Sequence, residues 1–133
     1  MSTAHPALRQ TVLDCPDPRR LGDFYRDLLG YEYRPGDETP EEGEDWLVIR
    51  PAGGGHGLAF QANAEYVPPV WTPEPDRPGD QQMMLHLDFE VTDLAEATAR
   101  AQALGATLPE HQPQDDVRVL LDPAGHPFCL YTS

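Results

Sequence analysis

The chain is 133 residues long, with a net charge of −14 and a pI near 4.4. Charge of that sign argues against nucleic acid and against an anionic membrane surface as partners, since the protein's own field repels both. Hydrophobic residues, at 39%, suffice for the core of one compact domain or of two half-domains sharing one, and the nine basic residues are all arginine, which excludes Schiff-base chemistry on a lysine.

The N-terminal Met-Ser-Thr-Ala-His-Pro lacks the apolar core of a secretion signal, and no run of about 18 apolar residues follows, so a cytoplasmic protein without membrane spans is expected. Ala7–Asp14 reads as a first strand. Asp17-Pro18 then supplies a helix cap and a proline at the first turn, where a missing N–H costs nothing. Leu21, Phe24, Tyr25, Leu28 and Leu29 recur at helical spacing as one apolar stripe, and Gly30 ends the helix. Tyr31–Arg34, Trp46–Arg50 and Leu58–Asn63 read as three further strands. Between them lie an acidic loop, Pro35–Glu44, and a glycine-rich turn, Pro51–Gly57.

Pro68, Pro69, Pro73, Pro75 and Pro78 rule out a helix or a central strand across Ala64–Gln82. That stretch reads as an ordered linker pinned by Tyr66 and Trp71. Met83–Val91 alternates apolar and polar residues as a strand does, and Thr92-Asp93 offers the next helix cap. Leu94, Ala97, Ala101 and Leu104 share one helix face, and Gly105 stops it. Thr107–Gln112, Val117–Leu121 and Pro127–Thr132 read as strands, with Asp122-Pro-Ala-Gly125 as a turn. Cys15 and Cys129 are the only cysteines, and in a reducing compartment they are thiols rather than a disulfide.

One pattern occurs twice. Gln10–Asp17 matches His86–Asp93, with Gln10 falling on His86 and Asp17 on Asp93, and each copy runs into a helix ending in Leu-Gly. The chain therefore reads as an α+β protein of two strand–helix–strands modules, residues 7–63 and 83–133, joined by the proline-rich residues 64–82.

Three stretches carry a family likeness. Asp17-Pro-Arg-Arg-Leu-Gly-Asp-Phe-Tyr-Arg-Asp-Leu-Leu-Gly-Tyr31, His86-Leu-Asp-Phe-Glu-Val-Thr-Asp-Leu94 and Asp122-Pro-Ala-Gly-His-Pro-Phe128 resemble the vicinal oxygen chelate superfamily, which includes glyoxalase I, bleomycin-resistance proteins and extradiol dioxygenases. The ending looks most like its glyoxalase-like branch. The likeness covers nearly the whole chain except the Pro35–Glu44 loop and the linker. It implies a single glyoxalase-like domain over residues 1–133, built of two tandem βαβββ modules whose curled mixed sheet forms an open cleft. In metal-dependent members four inward side chains hold one divalent ion: His or Gln, then Glu, His and Glu. The resemblance also implies a homodimer.

Residue by residue, the metal pattern is incomplete. His86 matches the third position, where an imidazole suits Zn, Ni, Fe or Mn; without a metal it is a cleft histidine bonded to a ligand or a neighbour. Gln10 matches the first position, as a weak neutral donor. The second falls on Ala59, which cannot ligate, or on Gln61, two residues along the same strand face. The fourth falls on Cys129, where the pattern has Glu. A thiol must first lose its proton, from a pKa near 8.5, and the favoured reading of Cys129 is a small buried apolar residue. Such a set lacks hard anionic ligands and the general base of glyoxalase I, so the expectation is no metal cofactor, with a divalent ion (Zn, Ni, Mn or Fe) as the alternative.

Asp88 and Glu90 share the strand face of His86, where Asp88 either orients that histidine or belongs to a solvated strand end. His56 lies in a glycine turn that is no phosphate loop, and His126 in a structural turn. Gln10, Gln61 and His86 amid Trp46, Phe60, Trp71 and Phe128 fit an apolar ligand cleft with a few placed polar groups, lidded by Trp71. The expected function is binding of a small organic molecule. The alternatives are a metal-dependent lyase, isomerase or dioxygenase using His86, and a non-catalytic dimeric regulatory module.

Overall fold

The structure, a computed structural model, describes residues 5–71 and 81–133. Its elements are β1 (Gln10–Cys15), α1 (Pro18–Leu29), β2 (Glu32–Tyr33), β3 (Trp46–Arg50), β4 (Gly57–Ala62), β5 (Leu87–Glu90), α2 (Leu94–Leu104), β6 (Val117–Leu121) and β7 (Pro127–Tyr131). They form a mixed α+β fold with two sheets, in compact units spanning Met1–Ala64 and Glu65–Ser133. No helix among the described residues is long and apolar enough to cross a membrane.

In the first unit the strand order is β1-β4-β3-β2, with β1 parallel to β4 and the other pairs antiparallel. Strand alternation splits this sheet into two faces. Leu13, Cys15, Leu47, Ile49, Leu58 and Phe60 are buried on one of them. Against it lies the apolar stripe of α1: Tyr25 stacks on Phe60 at 6.0 Å between ring centroids, and Phe24 meets Tyr25 edge-on at 4.9 Å. Each such side chain contributes roughly 1.5–3 kcal/mol by leaving water. The helix begins where the sequence places it. Asp17 accepts a hydrogen bond from the Arg20 N–H, Pro18 occupies the first turn, and Gly30 closes the last turn at φ 71° with its N–H on the Arg26 carbonyl.

The acidic loop is tied back to this helix. Arg19 donates two hydrogen bonds to Glu44, at 2.8 and 2.7 Å, and its guanidinium lies 4.7 Å over the Tyr33 ring. The Tyr33 hydroxyl donates to Asp23 at 2.6 Å. Burial, with the neighbouring Asp23, pushes that hydroxyl's pKa up, so it stays a donor.

In the second unit the order is β5-β7-β6, again with the first strand parallel to the last. Asp93 caps α2 as Asp17 caps α1, accepting from the Glu96 N–H, and Gly105 ends it. This helix is slighter: only Thr98 and Ala101 are buried along it.

Two expected strands are corrected here. Met83–Val91 shortens to Leu87–Glu90, leaving Met84 and Leu85 exposed, because the Met83 N–H bonds the Val70 carbonyl instead of a sheet neighbour. Thr107–Gln112 reduces to a single bridge, Thr107 to Leu121. Pro109 interrupts any ladder there. The Gln112 side-chain amide then takes the strand's place, accepting from the Val119 N–H at 2.9 Å and donating to the Val119 carbonyl at 3.0 Å.

The described part of the proline-rich stretch is anchored within the second unit. The Tyr66 hydroxyl donates to the Ala124 carbonyl at 2.7 Å, its ring lies 5.4 Å from His126, and Val70 bridges to Gln82. Pro73, Pro75 and Pro78 lie outside the described residues.

Candidate functional site

The register of β5 on β7 sorts the second sheet into two faces. Leu87, Phe89, Phe128 and Leu130 share one, with the Phe89 and Phe128 rings 5.9 Å apart. Asp88 pairs with Cys129 on the other, and Val119 and Val117 of β6 continue that face beside Cys129 and Tyr131. His86 precedes β5 by one residue and so lies on the Asp88 side. Phe128, expected in the cleft, is thereby corrected: it is fully buried in the core, and the residue after it faces the pocket.

A cavity of about 500 Å³ opens over this second face, walled by Trp71, His86, Asp88, Val119, Cys129 and Tyr131. Asp116, Gln114 and Thr132 complete its polar rim. The Trp71 ring stands 4.9 Å from the His86 ring at an interplanar angle of 58°. The bridge between Val70 and Gln82 fixes the backbone beside that tryptophan. His86 Nε2 lies 3.0 Å from Asp88 Oδ1, an ion pair whenever the imidazole is protonated. Burial pushes the Cys129 thiol up to about 11, helped by the Asp88 charge and a hydrogen bond to it. At neutral pH Cys129 is therefore a thiol. Neither cysteine is in a disulfide; Cys15 donates its thiol to the Gln61 carbonyl at 3.6 Å.

The first unit places its expected site residues differently. Gln10, Gly57, Arg50 and Glu32 form one row across β1, β4, β3 and β2. The row is bridged because Gly57 has no side chain: Arg50 lies across it and donates to Gln10 Oε1 at 3.0 Å. A Cβ at Gly57 would stand 2.3 Å from the Ile49 carbonyl oxygen and 2.8 Å from the Arg50 side chain. Gln61 pairs with Trp46 and Asp14 in a different row, four residues further along β4, or about 13 Å of strand.

Gln10 and Gln61 therefore do not converge on one ion, and the expected joint metal role is corrected. The Gln10 oxygen faces a guanidinium, Ala59 offers no donor, and the donors of this unit do not fit the metal set implied by the family. Phe60 is likewise corrected, since it packs on Tyr25 beneath the helix rather than beside Gln61. Trp46 stays on the Gln61 face, half-buried. His56 meets Thr11 at 2.9 Å.

The cavity wall includes four residues the sequence singles out, His86, Asp88, Trp71 and Cys129, together with Asp116 and Gln114, which it does not; nor does it single out Arg50 beside Gln10. In the sequence Gly57 closes a glycine-rich turn, so its place beside Arg50 emerges only with the register. Asp116 and Gln114 sit on an irregular loop, and no local pattern points them anywhere.

Comparison with known proteins bears on this arrangement. A sequence model of the glyoxalase-like domain family matches residues 10–131. No curated protein matches the sequence significantly. Among solved structures, a glyoxalase/bleomycin resistance protein/dioxygenase family enzyme from Burkholderia phytofirmans is 19% identical, with a TM-score of 0.68 over 96% of this chain and 98% of that one. TnmS3, an antibiotic-binding protein from a Streptomyces species, is 21% identical, with a TM-score of 0.57 over 98% of both chains. FosX, a fosfomycin resistance protein from Listeria monocytogenes, is 14% identical, with a TM-score of 0.62 over 98% and 92%. At such identities these likenesses speak for the fold. With the family match spanning nearly all of it, the chain belongs to the glyoxalase-like domain family, within the vicinal oxygen chelate superfamily.

Proposed function

We propose that the protein binds a small, planar organic molecule in the second-unit cavity, without the four-ligand metal site of its metal-dependent relatives. The observation that carries this is the cavity itself: about 500 Å³, apolar along Val119 and Cys129, and flanked by the Trp71 and Tyr131 rings. Volumes of this order suit drug-sized ligands, and aromatic walls favour planar ones. Among the described residues, Asp88 and Asp116 line it and no arginine does, so a neutral or cationic ligand is favoured over an anionic one. That TnmS3 is an antibiotic-binding protein supports the binding of a small organic molecule.

The test uses the two tryptophans. In a Trp46→Phe variant, Trp71 is the only tryptophan left. Planar cationic aromatics titrated into it, with chelator present, are expected to quench or shift its emission and to raise Tm. At a ligand concentration one hundred times Kd the stabilisation is about 2.7 kcal/mol. Trp71→Ala should abolish the Tm shift. A panel of planar cationic, neutral and anionic compounds that moves neither signal refutes the proposal, and a response to anions alone refutes the charge argument.

A further inference from the structure

Three side chains of the second unit bring an imidazole nitrogen, a carboxylate oxygen and a thiol sulfur within 4.8 Å of one another. Two strand rules put them there. His86 and Asp88 are two residues apart and share a face, and Cys129 is the cross-strand partner of Asp88. Donors bound to a tetrahedral zinc at about 2.0–2.3 Å are themselves roughly 3–4 Å apart. Small side-chain rotations therefore let these three share one ion. We propose that His86, Asp88 and Cys129 form a binding site for one thiophilic divalent ion, zinc, held entirely within the second unit and with its fourth position open to the cavity.

This differs from the arrangement the family likeness implies, which draws on both modules and gives no role to Asp88. The donor types choose the metal. A thiolate and an imidazole suit zinc, whereas magnesium and calcium demand oxygen ligands. Three protein ligands and one open position are the pattern of zinc sites that bind a further molecule. The charges balance too. On binding, Cys129 releases its proton to solvent, and the thiolate and the Asp88 carboxylate then match the two positive charges of the ion. In the metal-free protein burial and the Asp88 charge oppose that ionisation; the ion removes the opposition. Trp71 covers one side of the His86 ring, and the cavity gives access from the other.

The test uses the full chain, stripped with chelator and then titrated with Co²⁺ and Zn²⁺ alone. The expected result is about one equivalent of cobalt per chain, with a thiolate-to-cobalt charge-transfer band that zinc displaces. Cys129→Ser should lose the band and Cys15→Ser should keep it. Asp88→Asn should weaken binding by about tenfold or more, since even outer-shell partners of a metal are worth that much. Asp88 is exposed, so its variant stays informative if the buried Cys129 variant misfolds. Absence of stoichiometric binding overturns the proposal, as does a band indifferent to Cys129→Ser or wild-type affinity in Asp88→Asn. Organic-ligand binding is measured with chelator present, so failure of the zinc site leaves that reading intact, and the reverse also holds.

Discussion

Single residues here act through what stands directly opposite them in a sheet. Cys129 is the clearest case, because its cross-strand partner is a carboxylate. Removing that charge in Asp88→Asn, in metal-free protein, should lower the Cys129 thiol pKa from about 11. Burial alone should still hold it above the ordinary value near 8.5. Alkylation rate against pH reads this directly, with Cys15→Ser as background, and an unchanged profile would show that burial is the whole cause. Gly57 is the counterpart in the first unit. Gly57→Ala drives a methyl into the Ile49 carbonyl, and a backbone atom cannot swing aside as a side chain can. The expected cost is about 1–3 kcal/mol in denaturant titration, as for other overpacked sites. Neither partner could be read from the sequence. Asp88 meets Cys129 across a parallel pair whose strands are separated by a helix and another strand, and Arg50 reaches Gln10 only once β4 lies between them.

At the scale of elements, much more was legible, because caps and stripes are local. Asp17-Pro18, Gly30, Asp93 and Gly105 mark both helices to within a residue. Gly30→Val should cost about 1–2 kcal/mol, the penalty of a left-handed backbone on a residue with a Cβ, and a lowered Tm checks it. Of the two strands that failed, one did so where a side chain replaced backbone. Gln112 caps the edge of β6 with its own amide, so alternation around Thr107–Gln112 mimics a strand that the prolines prevent.

The acidic loop supplies a pH-dependent element. Hydrogen bonds from Arg19 hold the Glu44 carboxyl below the usual carboxylate range. A depressed folded pKa gives stability that is full above the unfolded value, about 4.3, and is lost as pH falls through the folded one. Glu44→Gln should therefore lower Tm at pH 7, and the difference from wild type should shrink towards about pH 3. A difference that persists unchanged in acid would assign the effect to packing instead of charge.

For the whole molecule, the duplication seen in the sequence reappears as two sheets with the same parallel first-to-last pairing and the same cap register. Met84 and Leu85 are exposed and apolar beside β5, the end strand of its sheet, and a second copy of the chain is the expected cover. Light scattering should report a homodimer, and Met84→Asp with Leu85→Asp should give a monomer of unchanged circular dichroism. A wild-type monomer at micromolar concentration would remove that assignment. The division between the units has a genetic consequence. Every described residue walling the cavity belongs to Glu65–Ser133, while the aromatic packing of Tyr25 on Phe60 belongs to Met1–Ala64. Scored once for cellular abundance and once for ligand capture, a library of all single substitutions should separate along the chain. The first half should rank alike in both screens, and variants abundant yet deaf to ligand should cluster at Trp71, His86 and Asp88, leaving one half free to acquire new specificities while the other keeps the fold.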